Sequence, residues 1–119
     1  AVPCKNYCRS SGSRNSCGSH INEWYRFDWS QSGYTYNCKT DRGCSCTDGQ
    51  KCKFYQGYME GSSYEGFMVR DKVYFGDQSQ LGDEGFDFSF GCVSEETKLF
   101  YDQAADGILG LGMGRSMSV

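Results

Sequence analysis

The sequence predicts an all-β, disulfide-rich fold, on three observations. Aromatic and β-branched residues recur in short extended runs, with clean period-two alternation at Phe86-Asp87-Phe88-Ser89-Phe90. No apolar stripe of 3.6-residue period persists long enough for a long helix. Eight Cys and 16 Gly accompany only 38% hydrophobic residues, and so modest a core gains from covalent staples. A chain of 119 residues fits one domain at most.

Residues 4–52 form a Cys-rich region holding Cys4, Cys8, Cys17, Cys38, Cys44, Cys46 and Cys52. Ser, Gly and Asn fill its gaps, a loop-forming composition. Its aromatics from Trp24 to Trp29 read as core cover rather than a sugar platform. From Lys53 the pattern changes. Phe54, Gln56, Tyr58 and Glu60 share one face of an extended run, and Tyr55, Gly57 and Met59 the other. Gly61-Ser62-Ser63 is a turn signal, and Phe67 to Phe75 a second run, so 53–76 predicts a hairpin. An exposed acidic loop over 76–85 follows. The strand at Phe86–Phe90 leads to an irregular turn or short helix over Val93–Asp102, then to a short buried strand at Ile108–Leu111.

Composition also narrows function. The net charge of −3 argues against nucleic-acid binding, which needs a basic face. No apolar run nears the roughly 18 residues of a bilayer span, and no charged-then-apolar leader opens the chain. The start at Ala1-Val2-Pro3-Cys4 and the stop at Ser118-Val119 read as those of an excised piece. The even Cys count points to the secretory-pathway lumen or the extracellular space. Cys4-x3-Cys8, Cys44-x-Cys46 and the single His20 offer metal ligands, but no Cys-x2-Cys pair recurs at zinc spacing. Neither a metal nor another cofactor is expected, and His20 is expected to pack or hydrogen-bond within the Cys-rich region.

Several blocks carry a family resemblance: Cys17-Gly18-Ser19-His20, Cys52-Lys53-Phe54-Tyr55-Gln56, Tyr58-Met59-Glu60-Gly61-Ser62, Gly66, Asp71, Val73, Gly91-Cys92, Gln103-Ala104 and Asp106-Gly107-Ile108-Leu109-Gly110-Leu111-Gly112. In this order they resemble part of the amino-terminal lobe of pepsin-family aspartic proteases with a nepenthesin-type cysteine insert, and most of all the branch of plasmepsin V and its apicomplexan relatives. The resemblance implies a pepsin-like fold with 4–52 as the insert region, 53–76 as the flap hairpin and 86–114 as lobe core strands. Such enzymes use two carboxylates about 3 Å apart that share one proton, each from its own Asp-Thr/Ser-Gly turn. Neither tripeptide occurs in these 119 residues, so no catalytic residue is assigned. The first motif is expected just upstream of Ala1 and the second far downstream. Asp106 is expected to be structural, supporting the turn into the following strand.

The resemblance further implies substrate-binding roles for Tyr58, Glu60, Gly61, Ser62, Leu99, Gln103 and Ala105. Tyr58 matches the flap tyrosine, although Ala1 stands where pepsin has the Trp that this tyrosine bonds. The other reading of Tyr58 is an ordinary hairpin tyrosine. Glu60 matches a flap position facing the pocket for the third substrate residue before the cut, with Leu99 and Ala105 on its wall. A carboxylate there takes an Arg bidentately, with Gln103 adding an acceptor; the competing reading is a solvated Glu on an exposed turn. The resemblance pairs Cys52 with Cys92, closing a loop of about 40 residues for roughly 3–4 kcal/mol. The implied function is a secretory-pathway aspartic endopeptidase, with a peptide or protein substrate and the rest of the protease as partners. A non-catalytic pepsin-fold binding or inhibitor protein is the alternative. An independent disulfide-rich recognition domain is a third reading.

Overall fold

The computed structural model describes residues 1–8, 10–11, 14–36, 51–74 and 85–110, with backbone alone at 10–11 and 14–15. Cys38, Cys44 and Cys46, positions 76–84 of the acidic loop, and Leu111 lie outside the described residues. The fold is mostly β. A five-stranded sheet is built on two long antiparallel partners, β6 (Ser63–Val73) and β7 (Phe86–Glu96). β1 (Val2–Pro3) runs parallel to β7, placing Val2 opposite Cys92 and Pro3 opposite Val93. The other edge of β6 is shared by β5 (Lys53–Gly57) and β4 (Tyr34–Thr35), both antiparallel to it. β2 (Ser10–Ser11) and β3 (Arg14–Asn15) pair separately. A 3-10 turn covers Phe27–Trp29, and α1 is one turn over Leu99–Asp102.

β6 is central, so both of its faces are covered. Phe67 and Val69 pack with Cys4 and Cys92, flanked by Tyr7, Tyr25, Phe27 and Phe90. On the other face Met68 packs with Tyr36 and Cys52, and Tyr64 with Cys17 and Val93. β6 sends apolar side chains to both faces only at Phe67-Met68-Val69, whereas β5, one face of which meets solvent, alternates between exposed and half-buried residues.

β7 runs six residues further than the sequence pattern suggests, to Glu96. Pairing on both edges by β6 and β1 overrides the weak strand preference of Gly91 and Ser94. A bulge interrupts β6–β7 where Glu65 faces Glu95 but Gly66 faces Val93. Gly66 belongs there because a Cβ would strike the Cys92 carbonyl. The short buried strand expected from Ile108 is not formed in the described residues. Ile108 instead exchanges backbone hydrogen bonds with Ala1 (2.7 and 2.9 Å), and Leu109 is 53% exposed.

The expected Cys52–Cys92 disulfide is not formed. Cys92 is joined to Cys4, and Cys8 to Cys17, while Cys52 takes part in a disulfide of its own. The register gives the reason. Lys53 on β5 and Cys92 on β7 both face Phe67, from opposite edges of β6. Two strand spacings, roughly 9–10 Å, then separate their backbones, beyond the reach of about 7 Å that a disulfide tolerates. Cys52 also joins the Met68 face and Cys92 the Phe67 face. Cys4, one residue past β1, has its Cα 5.4 Å from that of Cys92.

Candidate functional site

The β5–β6 hairpin ends in a tight tip. Gly61 N–H donates to the Tyr58 carbonyl and Tyr58 N–H to the Ser62 carbonyl, both at 2.9 Å. Gly61 has φ +97°, and the Nζ of Lys98 fills the place a Cβ would take. A turn followed by a left-handed glycine is a common hairpin closure. Met59 and Glu60 project from it into solvent.

Tyr58 is half-covered by an aromatic seat that sequence reading missed. Its ring lies 5.1 Å from Phe100 and 6.2 Å from Tyr64, whose rings are 5.1 Å apart. Burial first, and then the Tyr58 hydroxyl, push the Tyr64 phenol well above its ordinary value. These two rings position Tyr58. The signal lay in Phe100, one residue past Leu99.

Beneath the tip, Ser62 is 1% exposed. Its hydroxyl donates to Glu60 Oε2 at 2.7 Å and accepts the Leu99 N–H at 3.2 Å, while its backbone N–H donates to the same Oε2 at 3.1 Å. Ser63 N–H donates to Thr97 Oγ1, and Thr97 N–H to the Ser63 carbonyl, each at 3.0 Å. The tip is thus fastened to residues 97–99 by hydroxyl chemistry. Tyr58, Glu60, Gly61, Ser62 and Leu99 are brought together. Leu99 is 58% exposed, and Gln103, just past α1, donates its N–H to the Leu99 carbonyl. Ala105 is exposed. Among the described residues no hydrogen bond joins Gln103 or Ala105 to Glu60, and no cationic side chain forms an ion pair with Glu60.

Two acids behind the tip are structural. Asp106 accepts the Asn22 N–H at 2.7 Å and the Asn22 side-chain amide; these bonds hold its carboxyl below the usual range. They tie the turn before Ile108 to the segment after His20. Glu96, at the end of β7, meets His20 Nε2 at 3.0 Å, both side chains being nearly covered. Burial alone lowers the His20 pKa, but attraction to Glu96 and the bonds to Glu96 and Cys17 outweigh it, so His20 titrates above its ordinary value. Burial raises Glu96, against the pull of His20.

Both groups of this pair bind protons more tightly in the fold than in the unfolded chain. Their contribution is therefore full below the unfolded values and is lost as pH rises through the folded ones. Thermal melts of the intact protein against a His20→Gln variant should show a gap widest at mildly acidic pH. That gap should narrow as pH rises past the ordinary His value of about 6.5. A gap that grows with pH would contradict this assignment.

A cavity of about 460 Å³ lies elsewhere, between Ala1–Pro3, Phe88, Phe90 and Gly107–Gly110. It is apolar, and none of the predicted substrate-binding residues lines it.

A β5–β6 hairpin seated on the segment after β7, with the Asp106 turn behind it, defines the amino-terminal lobe of a pepsin-like aspartic protease fold, which implies a second lobe. The chain belongs to the Xylanase inhibitor N-terminal family, whose profile matches residues 2–119. It is 30% identical over 106 residues to Plasmepsin V of Plasmodium falciparum, covering 87% of this chain. It is 31% identical over 114 residues to Aspartic protease 5 of Toxoplasma gondii, covering 82%. The chain spans only 18% and 12% of the lengths of these relatives.

Proposed function

We propose that this chain is the substrate-facing part of the amino-terminal lobe of an aspartic endopeptidase of the secretory-pathway lumen or extracellular space. Residues 4–52 are its cysteine-rich insert region, 53–76 its flap hairpin and 86–114 its lobe core strands. The catalytic Asp pair comes from outside these 119 residues, and the rest of the protease is the obligate partner. Tyr58, Glu60 and Gly61 at the tip face the substrate, with Leu99, Gln103 and Ala105 along the pocket for the third residue before the cut; Ser62, expected from the resemblance to bind substrate, is buried beneath the tip and acts from there. Glu60 prefers Arg there.

The carrying observation is the Glu60 carboxylate. It stands at an exposed tip, with Oε2 held by Ser62 and no cation paired to it among the described residues. An oriented carboxylate that forms no ion pair among the described residues suits a guanidinium, which supplies parallel N–H donors. The relatives named Plasmepsin V and Aspartic protease 5 support the protease reading.

A second reading follows from the family itself, Xylanase inhibitor N-terminal: a pepsin fold that binds protein without cutting, with Glu60 as a contact residue. The discriminating experiment is kinetic. In the intact protein, Glu60→Gln should lower kcat/KM for peptides with Arg three residues before the cut by roughly 10–100-fold, the worth of one charge-assisted pair. Peptides with citrulline there should be little affected. Equal loss on both sinks the Arg preference, and an intact wild-type protein that cleaves neither peptide favours the binding reading.

A further inference from the structure

We propose that Ser62 is a positioning residue for specificity: its buried hydroxyl sets the Glu60 carboxylate for a guanidinium without touching substrate. This rests on the Glu60 reading above. Three observations carry it. Ser62 is 1% exposed, so its side chain is closed to a ligand. Its hydroxyl and its backbone N–H converge on one oxygen, Glu60 Oε2, at 2.7 and 3.1 Å. The same hydroxyl accepts the Leu99 N–H at 3.2 Å.

The chemistry of a hydroxyl gives this geometry a direction. It has one proton and two lone pairs. The Leu99 N–H takes one lone pair, and the proton goes to Glu60. That N–H opens α1 and has no partner within the helix, so both neighbours gain from the arrangement. With two donors converging on Oε2, the orientation of the carboxylate is restricted. A free Glu side chain loses rotamer freedom when ordered by a ligand. Here part of that ordering precedes binding, the general route by which preorganisation raises affinity. Leu99 and Gln103 share the segment anchored by the same hydroxyl, which, beside the Ser63–Thr97 bonds, sets the tip and the pocket wall relative to each other.

The test is the affinity of the intact protein for a fluorescent peptide pair, Arg or citrulline three residues before the cut, read by anisotropy. Ser62→Ala should cut the Arg-over-citrulline affinity ratio by about tenfold, equivalent to about 1.4 kcal/mol. Ser62→Thr, which keeps the hydroxyl, should retain most of the ratio. In a Glu60→Gln background Ser62→Ala should change the ratio no further. An unchanged ratio in Ser62→Ala overturns the proposal while leaving the Glu60 reading intact, as does loss of the ratio in Ser62→Thr equal to that in Ser62→Ala. A Glu60→Gln variant with the wild-type ratio overturns the Glu60 reading and the proposal with it.

Discussion

Replacing Cys4 and Cys92 together with alanine is expected to lower the stability of the intact protein by about 4–5 kcal/mol. The bond spans 88 residues, and closing a loop of that length removes about that much free energy from the unfolded chain on the chain-entropy account. The Cys8–Cys17 bond spans only 9 residues, and its loss is expected to cost about 2.5 kcal/mol by the same relation. The two bonds also differ in what they hold. Cys4–Cys92 crosses from the end of β1 to the middle of β7 at the base of the Phe67–Val69 cluster. Cys8–Cys17 closes a local loop over Val93 and Tyr64. Urea unfolding, followed by fluorescence under non-reducing conditions, should rank the double variants in this order. Peptide mapping that found Cys52 bonded to Cys92 would overturn the assignment.

Asp71→Ala is expected to cost about 3–5 kcal/mol, the range for breaking a buried charged network. Asp71 lies on β6 and is only 6% exposed. Its carboxylate accepts the hydroxyls of Tyr25, Ser30 and Ser32, each at 2.5 Å, and the Lys72 N–H at 2.7 Å. One side chain thereby holds the whole 25–32 segment, including the 3-10 turn, against the sheet. Its removal leaves three hydroxyls without their acceptor. Burial pushes the Asp71 pKa up, but the four donors prevail and it lies below the usual carboxylate range. The same burial, with the Asp71 charge, raises the Tyr25 phenol far above its ordinary value. A depressed carboxyl stabilises the fold at pH above its unfolded value, near 3.9, and that contribution is lost as pH falls through the folded value. Thermal melts across pH should therefore separate wild type from Asp71→Ala most at neutral pH, with the gap shrinking as pH falls below the unfolded value. Equal gaps across the range would assign Asp71 a packing role alone.

The features that the sequence exposed are those written in local pattern. The alternation of Lys53–Gly57, the turn glycine at Gly61 and the Phe86–Phe90 part of β7 follow from neighbouring residues, whereas the start of β6 at Ser63 and the end of β7 at Glu96 do not. The hairpin tip was legible for the same reason, because Tyr58 to Ser62 are contiguous, while their assignment to substrate came from the family resemblance. What escaped depended on register between distant strands. The partner of Cys92 is decided by which edge of β6 each Cys approaches, and no spacing along the chain encodes that. Phe100 and Tyr64 as the seat of Tyr58 depend on the fold of the 97–103 segment onto the hairpin. Asp71 stood out only as one residue of a motif. Its three hydroxyl donors lie about 40 residues away and carry no periodic signal.

The bulge opposite Gly66 has a further consequence, best put as a change of reading phase. Up to Val93, the side chains of β7 follow one parity with respect to β6; past Ser94 they follow the other. Glu96 thereby comes opposite Tyr64, on the face where His20 waits. Without the extra residue, Glu95 would take that place and Glu96 would turn away from its histidine. A substitution along 93–96 alters the contacts of one side chain, but a change of length there shifts the frame for everything that follows. The docking of the Cys17 loop, several strands removed in sequence, is addressed by a single uncounted residue.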